Sequence, residues 1–178
     1  MSNASDFASC ALRPHRAGDI GWVVSRHGAL YAAEFGFDLR FEALVARLVA
    51  DFIDRFDARR EACWIAERTG EPAGTPLGGV FLVQARDEKT QAPIEGVAQL
   101  RMLLIEPSAR GLGLGKRLVD ECTRFARQAG YRKITLWTNA NLVAARGIYA
   151  NAGFMLTHTE RHHSFGHDLV GETWELAL

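Results

Sequence analysis

Several things are missing from this chain, and each absence closes off a class of function. Net charge is missing: Lys plus Arg and Asp plus Glu stand at 21 each, so no broad basic surface for nucleic acid is indicated. Cysteine is scarce, three residues without paired spacing, which argues against a disulfide framework and suits a reducing cytoplasm. Cys63 and Cys122 fall in apolar patterns and read as small core residues. No apolar run approaches membrane-spanning length. The start MSNASDFASC lacks the basic and apolar regions of a signal peptide, so residues 1–10 read as a flexible lead. Repeats, low-complexity tracts and linkers are absent too. The remaining 11–178, in a chain that is 48% hydrophobic, are long enough to bury one full core, which predicts a single α/β domain.

What the chain does contain is concentrated in 100–129, LRMLLIEPSARGLGLGKRLVDECTRFARQA. Arg101–Ile105 is a short apolar run stopped by Pro107, the pattern of a core strand. Gly111, Gly113 and Gly115 alternate after it. From Leu114 the apolar residues Leu118, Val119, Cys122, Phe125, Ala126 and Ala129 share one helix face, and Gly130 ends the helix. A helix start presents unpaired N–H groups at the positive end of its dipole. Glycines let an anion reach those groups without meeting a Cβ. With Arg110 and Lys116 on either side, the loop is suited to a phosphate or pyrophosphate. A Walker loop is excluded, because Arg110 stands five before Gly115 and Arg117 follows Lys116. The dinucleotide fingerprint fails as well, since its sixth place, counted from Gly111, is Lys116.

Arg110-Gly111-Leu112-Gly113-Leu114-Gly115 matches instead the Arg/Gln-x-x-Gly-x-Gly/Ala signature of the GNAT superfamily of N-acetyltransferases. A second stretch resembles that superfamily's other motif. It comprises the strand Lys133–Thr138, an asparagine, a helix with alanines and Tyr149, three intervening residues, then Gly153-Phe154. The order and spacing of the two are similar to acetyltransferase domains found alone or fused to winged-helix regulators.

The rest of the chain fits the same plan. Ala11–His15 reads as a first strand, and Asp19 as the cap of a helix whose stripe is Ile20, Val24, His27, Tyr31 and Glu34. After the break Phe35–Asp38, a second helix is predicted over 40–56. Strands follow at 62–67, 77–85 and 94–105, with a turn at Thr69-Gly70-Glu71-Pro72 and a solvent-facing tip at 86–93. Two further strands are expected over 155–163 and 169–177. The resemblance implies an α/β (α+β) fold: a mixed, mostly antiparallel twisted sheet of about seven strands flanked by about four helices.

The resemblance also assigns roles. Acetyl-CoA is the implied acetyl donor, its pyrophosphate held by Arg110, Gly111, Leu112, Gly113, Leu114, Gly115 and Lys116. Main-chain groups of Leu103, Leu104 and Ile105 pair with the pantetheine arm like an added strand, and an N–H near Leu103 steadies the oxyanion. Tyr149 faces the thioester sulfur as general acid. Asn141 either caps the last helix or touches the coenzyme. Gln99 falls where some relatives carry a catalytic glutamate; an amide is no base near neutral pH, though it can position a water. His27, Tyr31 and Glu34 therefore stand as acceptor-binding candidates, with Glu34 a candidate base. Some of His162, His163, His167 and Asp168 are expected to rim the acceptor pocket, with no metal, because adjacent strand histidines point to opposite faces. The implied acceptor is a primary amine of a small molecule or peptide, reached by direct attack in a ternary complex. No nucleic-acid or membrane partner is expected, and a homodimer is left open. The competing reading is a non-catalytic acyl-CoA sensor or interaction module.

Overall fold

The computed structural model describes residues 10–69 and 74–178. Residues 1–9 of the expected lead, and Gly70, Glu71 and Pro72 of the expected turn, lie outside the described residues. Cys10, counted with that lead, is instead the buried first residue of a strand.

In chain order the elements are β1 (Cys10–Pro14), α1 (Asp19–Phe35), α2 (Leu39–Arg55), β2 (Ala62–Arg68), β3 (Pro76–Arg86) and β4 (Pro93–Ile105). A 3-10 turn at Pro107–Ala109 follows. Then come α3 (Leu114–Gln128), β5 (Lys133–Asn139), α4 (Val143–Asn151), β6 (Met155–Ser164) and β7 (His167–Ala177). The sheet order is β1-β2-β3-β4-β5-β7-β6, and every neighbouring pair is antiparallel except β4 and β5. This is the mixed, mostly antiparallel seven-stranded sheet with four helices that the resemblance implied.

Alternation along the strands builds a core on each face. Val80, Leu82, Leu100 and Leu136 meet Leu118, Val119, Cys122 and Tyr149 of α3 and α4. The intervening positions Cys63, Ile65 and Phe81 meet Val23, Val45, Val49 and Phe52 of α1 and α2. Full burial of each such side chain contributes roughly 1.5–3 kcal/mol. The helix ends follow local chemistry. Asp38 caps α2, its carboxylate accepting the Arg40 N–H at 2.9 Å. Asp19 does not cap α1: Gly18 holds the cap position, and the Asp19 carboxylate starts the helix paired to Arg13 at 2.6 Å and to the Arg16 N–H at 2.7 Å.

One departure from regularity positions the site. β4 and β5 pair over four rungs only, Val97–Leu100 against Lys133–Leu136. Just beyond, β4 carries an extra residue between Arg101 and Leu104, opposite Phe81 and Gly79, with Met102 at φ +53°. This is a bulge, and a bulge bends its strand. Past it β4 pairs only with β3, and Trp137–Asn139 only with β7. The two strands part, and main-chain groups face a gap.

Candidate active site

A cavity of about 690 Å³ fills that gap. Leu103, Leu104 and Ile105 of β4 form its floor. Leu30, Tyr31, Glu34 and Phe35 of α1 wall one side; Gly115 and Lys116 of α3, with Asn141–Ala145 and Ile148 around the start of α4, wall the other. Arg26 pins α1 over the gap through two bonds to Glu106, at 2.5 and 2.9 Å.

Each glycine of the loop has a distinct physical reason. Gly111 (φ +79°) and Gly113 (φ +70°) adopt the left-handed backbone that side chains resist, and Gly113 caps α3. Gly115 is there for closeness: a Cβ would lie 2.5 Å from Ile148 Cδ1 of α4. The first satisfied amide of this turn is that of Arg117, which donates to the Gly113 carbonyl at 3.1 Å. Among the described residues the amides of 111–116 donate to nothing, so the helix start offers a cluster of free N–H groups at its positive end. A pyrophosphate fits this cradle. The two flanking cations are not free, however. Arg110 Nη2 binds Glu34 Oε1 at 2.6 Å, and Lys116 Nζ binds Asp120 Oδ2 at 2.6 Å.

The structure brings most of the expected residues to the cavity. Leu103, Leu104, Ile105, Arg110, Gly111, Gly113, Leu114, Gly115, Lys116, Asn141, Tyr31 and Glu34 all line it. Leu112 does not; it packs toward Cys10, Ala66 and Leu77. Asn141 is no helix cap, because Leu142 occupies the cap position of α4 without any side-chain bond. Burial pushes the Tyr31 phenol up to about 12, with the Glu34 charge adding to the effect.

Four of the expected residues are placed differently from the others. His27 lies inside the protein at 2% exposure, bonded through Nδ1 to the Val23 carbonyl at 2.8 Å and stacked on Tyr31. It is off the cavity wall, and burial holds it neutral with a pKa near 4. Tyr149 is 5% exposed and sits beneath the lining beside Phe154. Burial pushes its phenol well up, and Tyr31, reaching in from the opposite face, adds to that. Glu34 lines the cavity beside the glycine loop, tied to Arg110. Gln99 belongs to the paired part of β4, on the face toward α1 and α2 and off the cavity lining.

The histidines of the last hairpin hold structure. His162 bonds Asn139 Oδ1 and Ser164 Oγ, each at 2.9 Å, and His163 pairs with Asp168 at 2.7 Å. His167 Nε2 donates to the Gly36 carbonyl at 2.9 Å, clipping the β6–β7 turn onto the α1–α2 turn. Phe37, Phe41 and Phe165 pack around that clip at 5.2–5.3 Å between ring centroids. Among the described residues no group of side chains is arranged to hold a metal ion. Sequence reasoning missed Leu30, Phe35, Val143 and Ile148 on the cavity wall, and the aromatic clip. The close run of Phe35, Phe37 and Phe41 was the available signal for the clip.

A split sheet with a helix start aimed at the split offers a strand edge and a cluster of free amides to an elongated ligand that carries phosphate. Comparison with known proteins gives the class. The Acetyltransferase (GNAT) family model matches residues 29–154, and the chain belongs to the GNAT acetyltransferase family. It is an acetyl-CoA-dependent N-acetyltransferase.

An uncharacterised N-acetyltransferase of Schizosaccharomyces pombe is 29% identical over 133 residues, 75% of each chain. Mycothiol acetyltransferase of Geodermatophilus obscurus is 32% identical over 53% of this chain, and human N-acetyltransferase 8B is 33% identical over 56%. The chain spans only 35% and 41% of the length of those two. Among solved structures, yncA of Salmonella typhimurium, determined with acetyl-CoA, superposes with a TM-score of 0.74 at 15% identity over 95% of this chain and 94% of its own. Ribosomal-protein-alanine N-acetyltransferase of Brucella melitensis gives 0.73 at 16% identity over 94% and 99%. These two likenesses show the fold.

Proposed function

We propose that this chain transfers the acetyl group of acetyl-CoA to a primary amine of a small molecule or peptide, by direct attack in a ternary complex. The observation that carries the reading is the gap between β4 and β5, walled by residues from both faces of the sheet and ending at the free amides of 111–116. The bound donor supplies an activated thioester. The amides of the α3 start, with Arg110 once released from Glu34, hold its diphosphate. Main-chain groups of Leu103–Ile105 hold the arm, and a Leu103 N–H stabilises charge developing on the carbonyl oxygen.

The amine nitrogen bonds to the acyl carbon as the carbon–sulfur bond breaks. The proton lost by nitrogen passes to water, since Gln99 is an amide, His27 is enclosed, and Glu34 is tied to Arg110 beside the glycine loop. Tyr149, the candidate general acid, keeps its proton by burial and lies beneath the lining, from where it hydrogen-bonds or protonates the departing thiolate. Holding both reactants in line supplies much of the acceleration, up to about 7–11 kcal/mol in well-oriented models. A covalent acyl-enzyme has no candidate: Cys10, Cys63 and Cys122 are buried, and burial pushes the Cys63 and Cys122 thiols up. Three free cysteines suit a reducing cytoplasm, and among the described residues no helix is long and apolar enough to cross a membrane.

The test is thiol release from acetyl-CoA across a broad panel of amines. Amine-dependent release above hydrolysis is expected. Binding of acetyl-CoA with no amine raising release overturns the reading in favour of a sensor.

A further inference from the structure

The sheet face beneath α1 and α2 carries a charged group that donor binding leaves unused. Residues paired across strands share a face, so Arg101, opposite Phe81, points to the α1–α2 side, as does Gln99 opposite Val83. Arg101 is the first β4 residue past the last rung to β5, and Trp137 is the next residue of β5 past that rung. The two therefore stand just outside the cavity lining, at the start of the gap on the face away from α3 and α4, the side from which an acceptor would reach a thioester held between the strands. Trp137 is 43% exposed, its ring lying on Gly171 and its Nε1 donating to Glu160 at 3.2 Å.

Arg101 is partly buried, yet among the described residues it makes no hydrogen bond and no ion pair. Arg13, Arg26, Arg110 and Arg146, by contrast, each hold a carboxylate. Burial pulls the Arg101 guanidinium down from its ordinary pKa, and the more distant Asp51 of α2 opposes the shift only through space. A half-buried guanidinium with no protein partner is available to a ligand, and its planar fork matches a carboxylate in two bonds.

We propose that Arg101 anchors a carboxylate of the acceptor, so that the amine acetylated here is an amino acid or a comparably small amine bearing a carboxylate. This rests on the acetyltransferase reading above. Size supports it: two residues span at most about 7 Å even in a regular strand, and the bulge at Met102 does not lengthen that, so an anion at Arg101 and an amine beside Leu103 belong to one small molecule. Charge favours a carboxylate over a phosphate. Arg101 brings one positive charge, Asp51 stands nearby, and Arg110 and Lys116 lie at the donor loop.

The experiment pairs binding with turnover. Calorimetry on the CoA-saturated protein uses N-acetyl-L-amino acids against their N-acetyl amides, and kinetics uses L-amino acids against L-amino-acid amides. Acids are expected to bind at least about tenfold more tightly than amides, with the same ratio in KM rather than kcat. Arg101→Gln brings that ratio close to one while acetyl-CoA still binds; Arg101→Lys keeps part of it. The proposal is overturned if amides match acids, if Arg101→Gln weakens both alike, or if aminomethylphosphonate binds better than glycine. Acids that bind through Arg101 with no amine acetylated leave the carboxylate site standing and remove the amine-transfer reading. Acetylation of amides and acids without preference does the reverse.

Discussion

Replacing Gly115 by alanine tests the geometry of the donor loop against the helix behind it. The backbone there is ordinary helix, so alanine gains about 0.5–1 kcal/mol of helical preference over glycine. Against that, the new Cβ meets Ile148 Cδ1 at 2.5 Å, and such overpacking typically costs about 1–3 kcal/mol. Gly115→Ala should therefore lose up to roughly 2.5 kcal/mol. Ile148→Val removes the offending methyl and alone costs about 0.5–1.5 kcal/mol. In the double variant the collision is gone and the helical gain remains, so it should lose no more than about 1 kcal/mol. Urea unfolding of the four proteins gives the coupling directly, with about 1–3 kcal/mol expected. Both residues wall the cavity, so acetyl-CoA affinity should fall in Gly115→Ala and recover in the double variant. Additive losses, within about 0.5 kcal/mol, refute the close approach of α3 to α4.

Glu34→Gln releases Arg110 for the donor. The pair is substantially exposed and worth only about 0.2–1 kcal/mol, so acetyl-CoA should bind about 1.4–5-fold more tightly by calorimetry; weaker binding contradicts the assignment. His27 has a folded pKa near 4 against 6.5 for an exposed histidine, so below pH 6.5 the unfolded chain takes up a proton that the folded one refuses. Stability from this residue is complete above pH 6.5 and declines toward pH 4 by about 3 kcal/mol. Unfolding titrations should show that decline in the native protein and a flatter profile in His27→Gln. Tyr149→Phe removes a hydroxyl with no hydrogen-bond partner among the described residues, so Tm should hold while kcat falls by roughly 100-fold or more. An unchanged kcat removes the general-acid role.

Local chemistry made the donor site legible. The alternate glycines, the Pro107 stop and the apolar face from Leu114 to Ala126 are all short-range signals, and each lies where the pattern placed it. Long-range choices were not legible. His27 shares a helical stripe with Tyr31 and Glu34, but periodicity cannot tell which part of a stripe meets the core and which meets a cavity. Val23 and Phe41 close over His27, while Tyr31, stacked on the same Phe41, and Glu34 reach the gap. Asn141 and Asp19 have good capping propensity, yet tertiary partners decided both: Asp19 pairs with Arg13 across from β1, and Asn141 faces the cavity. The solitary state of Arg101 depends on what lies around it in three dimensions, which an apolar run such as LRMLLI does not reveal.

The central claim is that the free amides of 111–116 exist to grip a diphosphate, and calorimetry with two ligands tests it most directly. Acetyl-CoA and S-acetylpantetheine present the same thioester arm, but only the first carries the diphosphate. Charge-assisted bonds contribute about 1.5–3 kcal/mol each, so S-acetylpantetheine should bind at least about 100-fold more weakly than acetyl-CoA. Equal dissociation constants, or no heat from either ligand, contradict the account.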